Sequence, residues 1–163
     1  MKLYHGSLEQ VDKPEIRESD HTLDYGKGFY ATTSQEQAEN WVKRRAKEMK
    51  APQGYVNVYE FDDSALRKMN SLLFYEPTEE WVDFVHQNRT VKGFMHDYDI
   101  VYGPVANDRV YAAFALFEGG VLDKQELIRE LKTYKLVDQY LFHTPLSLQY
   151  LTFIEAKEVT LWI

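Results

Sequence analysis

The chain has 163 residues, the length of one domain with material for a sizeable core. Hydrophobic residues make up 44% and aromatic residues 15%, which excludes a disordered tail and supplies rings for core packing or for stacking on a flat ligand. Lys and Arg number 19 against 26 Asp and Glu, and the net charge of −7 argues against nucleic acid or an anionic membrane surface and for a cationic ligand or a partner with a basic face.

There are no cysteines, so disulfides, thiolate metal sites and a cysteine nucleophile are excluded. The segment from Met1 to His5 lacks the apolar stretch of a signal peptide. The longest apolar run, Val110 to Phe117, is too short to cross a bilayer, so a soluble, cytoplasmic protein without membrane segments is expected.

In chain order, Leu3-Tyr4-His5 reads as a short strand entering a turn, and residues 6–26 as a long polar loop. Phe29 to Thr32 reads as a second strand. Thr33 and Ser34 then offer N-caps, with Glu36 and Gln37 three residues on. Ala38, Trp41, Val42, Arg45, Ala46 and Met49 recur at helical spacing, which predicts a helix over 34–49. The charges at Lys43, Arg44, Arg45 and Lys47 form a local basic patch or, the favoured reading, its solvated face. A strand over 55–61, a short helix over 64–69, a strand at 72–74 and a helix from Glu79 to Gln87 follow. Asp99 to Tyr102 is predicted to be a strand ending at the Gly103-Pro104 turn. Helices over 108–118 and 123–134, a strand over 136–143, one or two helical turns over 145–151 and a closing strand over 152–159 complete the pattern. Strands and helices mix without βαβ alternation, which predicts an α+β fold in a single domain spanning 1–163.

Four places then stand out. His5-Gly6-Ser7 closes the first strand, and Gly26-Lys27-Gly28-Phe29-Tyr30-Ala31 enters the second. Ala38-Glu39-Asn40-Trp41 puts a second aromatic eleven residues past Tyr30. Asp138-Gln139-Tyr140-Leu141-Phe142-His143 is followed by Leu148-Gln149-Tyr150-Leu151. In this order the four resemble the motifs of the ADP-ribosyltransferase superfamily, in its poly(ADP-ribose)-polymerase-like branch. The chain also resembles a family of small bacterial proteins of that fold.

The resemblance implies a split β-sandwich with flanking helices that binds NAD between two small sheets. His5 would bond a ribose hydroxyl, and Gly6, lacking Cβ, would bring its backbone to the nicotinamide carboxamide. Ser7 and Gly28 would line the NAD pocket, and Tyr30 and Trp41 would sandwich the nicotinamide ring. The family's catalytic glutamate aligns with Gln139, which can bond the ribose 2′-hydroxyl but brings no charge to a developing oxocarbenium ion. The family's elongation chemistry should be lost with that charge. Where some members carry a serine toward the nicotinamide amide, this chain has Ala38. Catalytic roles are therefore expected for His5, Tyr30 and Gln139, and Asn107, Asp108 and Arg109 are candidates for handling the acceptor or the pyrophosphate.

Each residue also has a plainer reading. Trp41 lies on the apolar face of its helix and serves core packing or stacking equally. Asp108 at a helix start is a favourable N-terminal charge with or without a ligand. Gln139 on a strand can simply face solvent. His21, His86, His96 and His143 are scattered without ligand spacing, so no metal is expected.

The activity expected is NAD-dependent mono-ADP-ribosyl transfer, or NAD hydrolysis, to a macromolecular acceptor for which protein is favoured over nucleic acid. By analogy alone, such a small bacterial enzyme would serve as a toxin or in defence against phage. Gln139 favours a rival, a module that binds NAD or ADP-ribose without turnover. A third reading, an RNA 2′-phosphotransferase, meets an acidic chain with no evident basic groove.

Overall fold

The computed structural model describes residues 1–17, 24–104, 108–134 and 136–161, apart from the side chains of Asp108, Arg109 and Tyr111. Within them the chain is α+β: β1 (Lys2–Ser7), β2 (Phe29–Ala31), α1 (Gln35–Met49), β3 (Gln53–Phe61), α2 (Ala65–Lys68), β4 (Ser71–Leu73), α3 (Glu79–Thr90), β5 (Ile100–Pro104), α4 (Asp108–Glu118), α5 (Lys124–Leu131), β6 (Asp138–Phe142), α6 (Pro145–Leu148) and β7 (Leu151–Thr160). Among the described residues no helix is long and apolar enough to cross a membrane.

The strands form two sheets. One has the order β1-β3-β7 and is antiparallel throughout. The other has the order β2-β6-β5-β4, antiparallel except where β4 lies parallel to β5. Strand periodicity then assigns the layers. Tyr140 and Phe142 of β6 point into a core between the sheets, where they meet Leu3, Tyr59 and Phe61. Leu141, between them in sequence, points the other way into a second core under α3, α4 and α5 with Trp81, Val101 and Phe114. Rings interlock in the first core, with Phe61 edge-on to Phe142 at 5.3 Å and 86°. Burying each such side chain contributes about 1.5–3 kcal/mol.

Helix α1 covers the outer face of the first sheet. The Ser34 side chain caps it, accepting from the Gln37 N–H at 3.1 Å. Its buried stripe is Ala38, Val42 and Ala46, one residue per turn and all small. Trp41 and Met49, expected on that face, are 43% and 56% exposed. The narrow stripe follows from close docking: a Cβ on Gly6 would stand 2.6 Å from the Ala38 carbonyl oxygen and 2.8 Å from Val42 Cγ2.

Two further expectations change. Residues 6 and 7 belong to β1 rather than to a turn, and β5 runs on through Gly103 and Pro104, paired with Gln139 and Asp138. The Gly-Pro pair does not end the strand because Gly103 makes room for Tyr25, whose hydroxyl donates to the Pro104 carbonyl at 2.5 Å.

Candidate functional site

A single backbone feature opens the site. Tyr4 and Thr32 exchange two hydrogen bonds, N–H to O, of 2.8 and 2.9 Å, and so join β1 to the end of β2. An antiparallel ladder would continue with Gly6 opposite Tyr30. It does not; past Tyr4 the strands part. Because Met1 bonds Phe61 of the β3 side, odd residues of β1 face β3, and Gly6, like Tyr4, turns its N–H and C=O to the parting edge. Among the described residues those groups have no partner. A cleft of about 400 Å³ lies there, lined by His5, Gly6, Ser7, Gly28, Tyr30, Trp41 and Gln139, among others. Seven of the ten residues proposed from the sequence thus meet in one place.

His5 occupies the wedge between the strands. Its Nδ1 lies 2.5 Å from the Tyr30 carbonyl oxygen, and its ring stacks on Phe29 at 4.1 Å. A carbonyl only accepts, so Nδ1 carries the proton. Burial pushes the imidazole pKa down to about 4, outweighing the raising effect of the Tyr30 bond. The ring is therefore neutral at pH 7, with Nε2 left as an acceptor suited to a hydroxyl donor.

The opposite wall is the loop entering β2. Three successive carbonyls are each gripped by a ring: Tyr25 by His96 Nε2 at 2.8 Å, Gly26 by the Tyr30 hydroxyl, and Lys27 by His143 Nδ1. The Tyr30 oxygen also accepts from the Tyr25 N–H at 3.2 Å. Gly28 is needed for close approach, since a Cβ there would lie 2.4 Å from the Phe142 carbonyl oxygen. Two of the four histidines expected to be scattered meet: His96 and His143 lie ring to ring at 4.2 Å. Their separation in sequence hid a contact made by the turn after β6. His86 is placed elsewhere, with its ring 5.6 Å from that of Phe117, and His21 lies outside the described residues.

Trp41 projects from α1 beside Gly6, its Cε3 3.2 Å from where a Cβ of residue 6 would sit. Exposed and lining the cleft, it is not a core residue. Gln139, half-buried on β6, lines the cleft too. Its neighbour Asp138 ties the cleft rim together, accepting from Thr33 N–H at 2.9 Å, from Thr32 Oγ1 at 3.2 Å and from the Tyr102 hydroxyl at 3.1 Å. Ser7 Oγ accepts from the Glu9 N–H at 3.2 Å. Asn107 and the side chains of Asp108 and Arg109 lie outside the described residues.

Besides Asp138, four charged cleft residues were not among the site candidates read from the sequence: Glu15, Arg17, Asp24 and Arg44. Arg17 pairs with Glu9 at 2.5 Å and Glu15 at 3.2 Å. Arg44, read as part of a solvated face, borders the opening. Asp24 is 7% exposed, and burial pushes its carboxyl up to about 6, the nearby Arg89 pulling against that and Glu118 with it. In the sequence it looked like one more polar residue of a long loop.

Comparison with known proteins adds a family and little else. No curated protein and no solved structure matches the chain. A family model described as "Protein of unknown function (DUF3990)" matches residues 1–153. That match spans nearly the whole sequence, both walls of the cleft included, and the chain belongs to the DUF3990 family.

Proposed function

We propose that the cleft binds NAD and that the protein cleaves the nicotinamide–ribose bond, passing ADP-ribose to one acceptor or to water. The observation that carries this reading is the parting of β1 from β2 beyond the Tyr4–Thr32 pair. It leaves an amide-shaped recognition edge, the Gly6 N–H and C=O, directly beside an exposed indole. A carboxamide needs one donor and one acceptor in one plane, and its ring needs a flat apolar neighbour. Gly6 offers the first and Trp41 the second, with Tyr30 on the same cleft. The neutral His5 would accept from a ribose hydroxyl, and Gln139 would hold another. Arg17 and Arg44 are the cleft cations for the pyrophosphate.

Gln139 supports a second reading, a module that binds NAD or ADP-ribose without turnover, because an uncharged amide adds little to cation stabilisation. Incubation with NAD labelled in both halves separates the two. Nicotinamide release by the wild type, lost in His5→Ala, supports the enzyme. Binding without release, with release appearing only in Gln139→Glu, supports the module. If no NAD binds, the cleft reading itself is wrong.

A further inference from the structure

We infer that Asp24 is the general base of the cleft, the carboxylate that takes the proton of the attacking acceptor hydroxyl or water; this rests on the NAD-cleaving reading above. Asp24 is 7% exposed yet lines the opening. Among the described residues its carboxylate accepts no hydrogen bond. A carboxyl that is structural only, at such burial, is normally bonded, because desolvating it unpaired is costly. Here no such bond is made, and the residue is part of the cleft lining.

Its mounting is firm. The residue opens the loop whose next three carbonyls are held by His96, Tyr30 and His143. The charges facing it from the packed helices are Arg89 on α3 and Glu118 on α4, themselves paired at 3.7 Å. Around the cleft stand Glu15, Arg17, Arg44, Asp138 and the neutral His5. With its titration near pH 6, Asp24 is mostly ionised at neutral pH while remaining basic enough to accept a proton.

The step balances without another reactant. The acceptor oxygen bonds ribose C1′ as its proton passes to Asp24. The C1′–N bond breaks and its electron pair returns to the ring nitrogen, so nicotinamide leaves neutral. Asp24 then gives its proton to solvent. The residue would thus supply, from the loop before β2, a charged group that position 139 on β6 lacks.

The test follows nicotinamide release across pH, with NAD affinity from Trp fluorescence and folding from circular dichroism. In the wild type the rate should fall on the acid side of about pH 6. Asp24→Asn should lose about 100-fold or more in rate, with NAD affinity held within about threefold, a bound well below one pKa unit in energy. Arg89→Gln should move the acid limb to higher pH and Glu118→Gln to lower pH, since the first charge lowers and the second raises the Asp24 pKa. These two shifts decide the matter if Asp24→Asn does not fold. An active Asp24→Asn, or limbs that stay put, overturns the inference and leaves the NAD-cleaving reading standing. A wild type that binds NAD but releases nothing overturns the inference and points to the binding module. A wild type that binds no NAD overturns both.

Discussion

The two walls of the cleft are built by different means. On one side, β1 and α1 meet at backbone distance, with Gly6 under the Ala38 carbonyl and Val42, and the shape is set by steric fit. On the other, the loop from Asp24 to Gly28 is held by side-chain rings bonded to three successive carbonyls. Packing does not titrate; the His96 ring on the second wall does. The contact of Gly6 with α1 should therefore be indifferent to pH and intolerant of added atoms. The second wall should tolerate small losses of volume and respond to acid.

The sharpest way to break this contrast is at Gly6. Gly6→Val places carbon inside contact distance of Ala38 and Val42. Overpacking of that kind costs about 1–3 kcal/mol, a fall in Tm of roughly 3–10 °C at this chain length. An unchanged melting curve would mean that α1 does not sit where the packing puts it. On the second wall, Tyr30→Phe deletes one hydroxyl that serves both the Gly26 carbonyl and the Tyr25 N–H. Leaving part-buried backbone groups unserved costs about 1–2 kcal/mol. Hydrogen exchange should speed up at the Tyr25 amide and stay unchanged in α1.

Acid is a milder probe of the same wall. His96 is held with its pKa lowered, by burial first, then by the charge of its neighbour His143, while its bond to Tyr25 opposes. Its Nδ1 accepts from the Tyr98 N–H at 3.2 Å, so a second proton has no place there. A histidine whose folded pKa lies below its unfolded value of about 6.5 stabilises the fold above that pH. The contribution is lost as pH falls toward the folded pKa, at most about 1.4 kcal/mol per unit. His5 acts in the same direction between about 6.5 and 4. Asp24, raised to about 6, acts against them, its burial cost disappearing as it protonates. The stability difference between wild type and His96→Gln should therefore shrink from pH 7.5 to pH 5. A difference that widens instead would contradict the assigned tautomer.

The elements were legible because each carries its own local signature. β-branched and aromatic residues mark β3, and Leu127, Ile128 and Leu131 of α5, set at helical spacing, are buried. The α+β class follows from the order of those elements. Residues of the His5-Gly6-Ser7 segment and of Gly28 to Ala31 line one cleft. What could not be read was tertiary. Gly6 looked like a residue kept small for a ligand, and the fold shows that α1 also demands it. Asp24 carries no pattern of its own; only burial makes its carboxyl unusual. Trp41 sat at an apolar spacing, but a helix docked this closely has room for a stripe one small residue wide, and the indole falls outside it.

Trp41 separates function from stability most cleanly, because its expected effect on folding is the smallest. At 43% exposure it fills no cavity, so Trp41→Ala should change stability by about 0.5 kcal/mol or less. The indole edge nevertheless borders the Gly6 backbone that the NAD reading assigns to the carboxamide. Stacking of a flat cationic ring on an indole at a partly exposed site contributes about 0.5–2 kcal/mol, equivalent to about 2- to 30-fold in affinity. Titration of wild type and Trp41→Ala with NAD, and separately with ADP-ribose, isolates that contribution. NAD binding should weaken and ADP-ribose binding should not, since only NAD carries the nicotinamide. Equal weakening of both would put the indole against the adenosine half and reverse the orientation of the ligand in the cleft.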